Sequence, residues 1–210
     1  MKDNHSEHIK DFIKELIRFN PKDLPRAKHI FNPWTTSDIT QGDINENAHI
    51  TRCKNLKNYL SSIKTPDYIL IAESPSSGAR YTGIAMTSEK VIKENNLSYQ
   101  STSQKGNTYE LTASRVWNEM SKGSKTFVLW NAFAFNINKK QNKWFENPTS
   151  EELKANKYLL EKFLDLYPKA KIVAVGTKAK EALSIIGITN IENVRHPSHD
   201  YKKEFKLAHL

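Results

Sequence analysis

Residues 148–187 read PTSEELKANKYLLEKFLDLYPKAKIVAVGTKAKEALSIIG, and this stretch decides the fold. Pro148 precedes Thr149, and Glu152 stands three residues further on, the spacing of a capping box that opens a helix over residues 153–166. The apolar run at residues 171–175 is too short for a helix and rich in β-branched side chains, so it reads as a strand. Thr177 is then the expected cap of a second helix that runs to Ile186 and stops at Gly187. A strand that is apolar throughout, rather than at alternate positions, has both faces covered, which is the habit of parallel sheets.

Working outward, three more runs have the same character: residues 68–72, 126–130 and 191–194. Strands alternating with helical segments predict a three-layer α/β/α sandwich around a central four-stranded parallel sheet. Upstream, Ile9, Phe12, Ile13, Leu16 and Ile17 fall at helical spacing within residues 6–19, and Asn20-Pro21 ends that helix. Residues 21–47 carry scattered Pro, Gly, Asn and Asp and predict an irregular segment packed by Ile30, Phe31 and Trp34. Helical spacing returns over residues 50–63, followed by a turn at residues 64–67. The expectation is one domain over residues 1–210, in which residues 1–64 cover an α/β core of residues 65–210.

Composition narrows the function. The chain has 210 residues, 38% hydrophobic and 10% aromatic, enough for a buried core and too apolar for a disordered protein. Lys and Arg number 32 against 23 Asp and Glu, a net charge of +9 that suits a polyanionic partner such as nucleic acid. Cys53 is the only cysteine, which excludes a disulfide framework, an all-cysteine zinc site and a four-thiolate iron–sulfur cluster. No apolar run approaches the roughly 20 residues that span a bilayer, and residues 1–5 lack a secretory pattern, so a cytoplasmic location and no membrane partner are expected. Neither phosphate-loop glycine pattern of nucleotide-binding α/β proteins occurs.

In an open parallel sheet, ligands bind beyond the carboxyl ends of the strands. Glu73-Ser74-Pro75-Ser76-Ser77-Gly78-Ala79-Arg80 follows the first run, Asn131-Ala132-Phe133 the second, Gly176-Thr177-Lys178 the third, and Arg195-His196-Pro197-Ser198-His199 the fourth. A carboxylate, an amide, a histidine, small hydroxyl residues and cations on one rim suit anion binding combined with acid–base or electrostatic chemistry. Pro197 prevents His196 and His199 from forming a helical metal pair, and no metal or other cofactor is expected.

Four ordered segments carry a family resemblance: Ala72-Glu73-Ser74-Pro75-Ser76, Thr82-Gly83-Ile84-Ala85-Met86-Thr87-Ser88-Glu89, Trp130-Asn131-Ala132-Phe133-Ala134-Phe135 and Arg195-His196-Pro197-Ser198-His199-Asp200-Tyr201. Over about residues 30–210 the chain resembles the uracil-DNA glycosylase superfamily, most closely a small bacterial branch without an iron–sulfur cluster. The resemblance implies a monomeric enzyme acting on DNA that flips a base and hydrolyses its N-glycosidic bond. It places Asn131 on the edge of the flipped base and His196 at the base's carbonyl oxygen. Glu73 and Ser74 fall where the attacking water is held, and Ser74 is a poor base, so Glu73 or a backbone-held water is the candidate. Tyr81, Met86 and Phe133 join Asn131 around the base. Ser76, Ser77, Arg80, Ser88, Thr177, Lys178, Arg195, Ser198 and His199 are the expected phosphate contacts, with Tyr201, Lys202 and Lys203 in the region of the DNA wedge.

The departures from the branch fall at the site. Ala72 and Ser76 replace two glycines, Met86 replaces the aromatic that stacks on the base, Asn136-Ile137-Asn138 replaces His-Pro-His, and Asp200-Tyr201 replaces Gly-Gly. A flexible thioether in place of a flat ring loosens the constraint on base substituents, which suits uracil or a modified pyrimidine such as some phage genomes carry. The implied role is repair or defence against foreign DNA. The alternative is an inactive DNA-binding or damage-sensing module on the same scaffold.

Overall fold

The computed structural model describes residues 4–137, 147–199, 205–207 and 210. Its elements run α1 (Asn4–Arg18), β1 (Ile30–Phe31), α2 (Ala48–Ser62), β2 (Tyr68–Ala72), α3 (Ser77–Arg80), α4 (Glu89–Glu94) and α5 (Leu111–Met120). They continue with β3 (Phe127–Asn131), β4 (Asn136–Ile137), α6 (Ser150–Asp165), β5 (Lys171–Val175), α7 (Thr177–Ile185) and β6 (Glu192–Val194). Strands β3-β2-β5-β6 form, in that order, a four-stranded parallel sheet. Helices flank it, giving the expected α/β/α sandwich.

The connection from β2 to β3 runs one way along the sheet, and those from β3 to β5 to β6 run the other. Right-handed crossovers therefore send their helices to opposite faces. Consistent with this, α4 packs on α5, whereas α6 packs on α7 and on α1. On the α1–α6 face the Trp130 ring lies stacked on Phe163 at 4.7 Å and edge-on to Phe12 at 5.1 Å. The open edge of β3 is covered by α2, whose Tyr59 hydroxyl accepts the Leu129 N–H at 2.8 Å, so an otherwise unpaired strand donor is satisfied.

Element limits shift locally: α6 spans Ser150–Asp165 rather than residues 153–166, and α7 ends at Ile185 rather than Ile186. β3 starts and ends one residue later than the apolar run, because Asn131 still pairs with Ala72. β6 begins at Glu192. The cap of α7 is Gly176 rather than Thr177, which is already the first helical residue and makes no side-chain cap bond. The capping box of α6 forms as expected, with Thr149 and Glu152 exchanging side-chain bonds to each other's backbone N–H. Glu152 also pairs with Arg26 of the irregular N-terminal segment, whose Nε donates to Oε1 at 2.9 Å, and this anchors that segment to α6.

A second anchor is fully internal. Asp43 and Arg52 are 0% exposed and Arg80 is 4% exposed. Arg52 donates to both carboxylate oxygens of Asp43, at 2.8 and 3.3 Å, and also to the carbonyls of Pro33 and Thr36 at 2.6 Å. Arg80 reaches the same carboxylate at 3.4 Å and lies over the Phe31 ring at 4.5 Å. One buried carboxylate thus serves two buried guanidinium groups. Asp43→Ala is expected to lower the unfolding free energy by about 3–5 kcal/mol, the usual cost of leaving a buried charge unpaired. Urea denaturation checks this, and a loss below about 1 kcal/mol would remove the cluster from the account.

Candidate active site

Strand register builds the site. Ala72 stands opposite Asn131, Ile71 opposite Ala174, and Val175 opposite Val194, so the four strands end at one level. The loops starting at Glu73, Ala132, Gly176 and Arg195 therefore leave from the same rim. The connections that leave the adjacent strands β2 and β5 run opposite ways along the sheet, so a switch point, where ligands of open parallel sheets bind, lies between their carboxyl ends.

Backbone bonds join the first two loops. Ala132 N–H donates to the Ala72 carbonyl at 2.7 Å and Phe133 N–H to the Glu73 carbonyl at 2.9 Å. From β4, the Asn136 amide nitrogen donates to the Pro75 carbonyl at 2.7 Å. Glu73 is half-buried, and burial pushes its carboxyl above the usual 4.5 while nearby Lys178 pulls it back. Ser74 is half-buried beside it. Asn131 is 3% exposed and, among the described residues, its side-chain amide has no protein hydrogen bond shown. Its oxygen and nitrogen are not sealed from solvent, so at the end of β3 the amide is open to pair with a ligand.

On the far side of β2, Gly176 has φ +90°, and a Cβ there would stand 3.2 Å from His196 Cβ. The absence of a side chain lets the histidine lie against the β5 end. Ser198 backbone N–H approaches His196 Nδ1 at 3.3 Å, with the Ser198 hydroxyl at 2.7 Å. A backbone N–H can only donate, so Nδ1 is the acceptor and a neutral ring carries its proton on Nε2. Arg115 of α5 donates to the Pro197 carbonyl and holds this loop from behind. Neighbouring strands lie about 4.8 Å apart, so the ends of β3 and β5 stand about 10 Å apart with the end of β2 between them.

The remaining expected residues divide by what they touch. Ser76 caps α3, its hydroxyl accepting from Ala79 N–H; Glu110 is pushed above its usual value by burial, with the nearby Ser76 hydroxyl and Ala79 N–H opposing. Ser77 is the first residue of α3. Arg80 is engaged with Asp43, and the Tyr81 hydroxyl donates to the Gln41 carbonyl at 2.6 Å. Met86 is buried at φ +48°, with its carbonyl accepting from Trp117 Nε1 at 3.2 Å. That loop is kept close to α2 by Gly83, where a Cβ would stand 2.7 Å from Arg52 Cβ. Ser88 is fully buried and caps α4, and Phe133 is fully buried edge-on to Phe135. Thr177 and Arg195 are exposed, and Lys178 pairs with Glu181 at 2.8 Å. His199 ends the 3-10 turn Pro197–His199, while Tyr201, Lys202 and Lys203 lie outside the described residues.

Glu110 and Arg115 were not singled out in the sequence, and Asn136 stood out only as the start of the stretch that replaces His-Pro-His. Glu110 carried one weak signal, an acidic residue immediately before a helix; Arg115 had none. Among the described residues no group of three or more His, Cys, Asp or Glu is placed to hold a metal ion. A surface pocket of about 240 Å³, lined by His8, Asp11, Phe12, Lys162, Asp165 and Leu166, sits by the last turn of α6, which leads to the opposite end of the sheet.

No protein-family model matches the sequence, and no curated protein matches it. Among solved structures, the chain shares its fold with the crystal structure of wild-type Pedobacter heparinus SMUG2, at a TM-score of 0.64 and 17% identity. The match covers 94% of this chain and 90% of that one.

The contact at Gly176 has a direct consequence. Gly176→Ala places a side chain against His196 in a backbone conformation that L residues rarely adopt. The His196 ring proton resonances are expected to shift while the far-UV circular dichroism stays native; unchanged His196 resonances would contradict the packing.

Proposed function

We propose that the chain is a monofunctional DNA glycosylase that excises a flipped base, uracil or a modified pyrimidine of the kind found in phage DNA, and leaves an abasic site. The observation that carries this reading is the Asn131 amide at the end of β3, without a protein partner among the described residues, with Glu73 and His196 on the same rim. The four ordered motifs and the fold shared with SMUG2 support it.

In this reading the base enters at the rim beside the β2–β5 switch point, and Asn131 bonds to its Watson–Crick edge. Cleavage of the C1′–N bond leaves positive charge on the sugar and negative charge on the departing base. His196 Nε2–H donates to the base carbonyl oxygen where that negative charge gathers. Glu73 orients the attacking water and takes its proton as oxygen bonds to C1′. The products are the free base and an intact strand with an abasic site. No lysine in the four motifs stands as a Schiff-base nucleophile, so strand cleavage is not part of the reaction. Met86, in place of a flat ring, leaves room for a substituent on the base. The protein would then serve repair or defence against foreign DNA from the cytoplasm, as a monomer.

The test is a panel of DNAs carrying uracil, other deaminated bases or phage-type modified pyrimidines, scored for alkali-labile sites. At least one substrate is expected to yield them, and Asn131→Ala and His196→Ala should each slow excision by about 10²-fold or more. No abasic sites on any substrate would overturn the enzyme reading and leave the inactive DNA-binding module. The acid limb of the rate profile gives a second check. Glu73 must be ionised to accept a proton, and burial raises its pKa, so the rate should climb with pH to a plateau reached above the ordinary carboxylate value of 4.5. Glu73→Gln should be slow and lack that limb; a limb retained in the variant would assign it to another group.

A further inference from the structure

We infer that Asn156, on the buried face of α6, is a positioning residue for Asn131. This rests on the glycosylase reading and names a part of the site that the four motifs do not contain. Asn156 is 0% exposed, and both ends of its amide are used. Its nitrogen donates to the Ala132 carbonyl at 2.7 Å, and its oxygen accepts the Ala134 N–H at 3.2 Å. These are the peptide groups one and three residues beyond Asn131, where β3 has ended and no strand partner remains.

The loop is thereby held from two sides. Toward β2, the N–H groups of Ala132 and Phe133 donate to Ala72 and Glu73. Toward α6, the loop backbone is bonded by Asn156. Ala132 and Ala134 are buried at 1% and 0% exposure, so solvent does not replace those bonds if they are lost. The helix that carries Asn156 has its own register fixed one turn earlier, by the capping box and the Arg26 pair at Glu152. Glu152 and Asn156 are four residues apart and share a face otherwise built from Leu153, Leu159, Leu160 and Phe163. Leucine would suit that face better by burial and by helix propensity. An amide there is explained by the loop it holds, and through the loop it sets where the Asn131 side chain meets the base.

A double-mutant cycle separates positioning from general stability. In single-turnover excision on the best substrate of the panel, Asn156→Leu is expected to be slower by about 10²-fold, the scale of a misplaced catalytic group. DNA affinity should stay within about 3-fold. Asn131→Ala combined with Asn156→Leu should be no slower than Asn131→Ala alone, because Asn156 acts through Asn131. Leu160→Ala, on the same helix, is the control for lost stability and should leave the rate nearly unchanged. Multiplying effects in the double variant, or an equal loss in Leu160→Ala, would overturn the inference. If Asn156→Leu does not fold, Asn156→Asp, which keeps the acceptor for Ala134 and loses the donor to Ala132, takes its place in the cycle. If the wild-type protein excises nothing, the glycosylase reading fails separately. The Asn131 side-chain amide resonances then decide: they should shift in the Asn156 variant and not in Leu160→Ala, and the reverse pattern or no shift would overturn the assignment.

Discussion

Strand β2 is paired in parallel on both sides, to β3 through all five of its residues and to β5 through residues 68–71. This double pairing constrains everything at the rim. A strand flanked by two parallel neighbours presents no edge, so its five residues are all buried. Its outgoing loop has to rise over the sheet between the loops of its neighbours. Glu73 therefore stands between Asn131 on one side and Gly176 with His196 on the other. The order of these groups across the rim is the order of the strands.

The loops are irregular, and buried polar contacts keep them in place. Asn156, Asn136, Arg115 and Ser198 each satisfy or orient a group in a loop that has left the sheet. Each one costs desolvation and is repaid only with its partner present, so each fixes geometry more than it adds stability. The Asp43, Arg52 and Arg80 cluster does the same on a larger scale, tying the N-terminal segment and α2 to the helix that ends the first loop. The candidate acid–base chemistry then sits on a rigid frame, as a preorganised electrostatic site requires.

Regular elements were legible in the sequence because burial writes a period into them. Residues 68–72 and 171–175 form strands with the expected limits, and the capping box at Thr149 and Glu152 marks α6. The end of β3 was misplaced by one residue because a polar Asn131 does not continue an apolar run even though its backbone still pairs. The two-residue pair β1 and β4 is too short to carry any period. Thr177 has the right chemistry for a cap, but Gly176 at φ +90° already makes the turn. Asn156 and the Asp43 cluster were invisible for a different reason. A lone polar residue on a helix reads as solvent-facing, and only tertiary contact reveals what it holds. Strand ends and ordered motifs nominated Glu73, Asn131 and His196, which leave from one rim, whereas Arg80 and Ser88, expected at phosphates, are buried in internal contacts that the sequence did not reveal.

A switch point between β2 and β5, an amide without a protein partner at the end of β3, a half-buried carboxylate and a histidine oriented through Nδ1 support one proposed reaction, hydrolysis of a base from DNA. The central claim is tested most directly by mass spectrometry of the small molecules released from substrate DNA, measured alongside abasic sites in the same reaction. The account predicts that an intact free base appears in equal amount to the abasic sites, with the strands unbroken before alkali. Release of nucleotides, strand breaks without alkali, or no free base from any substrate would contradict it.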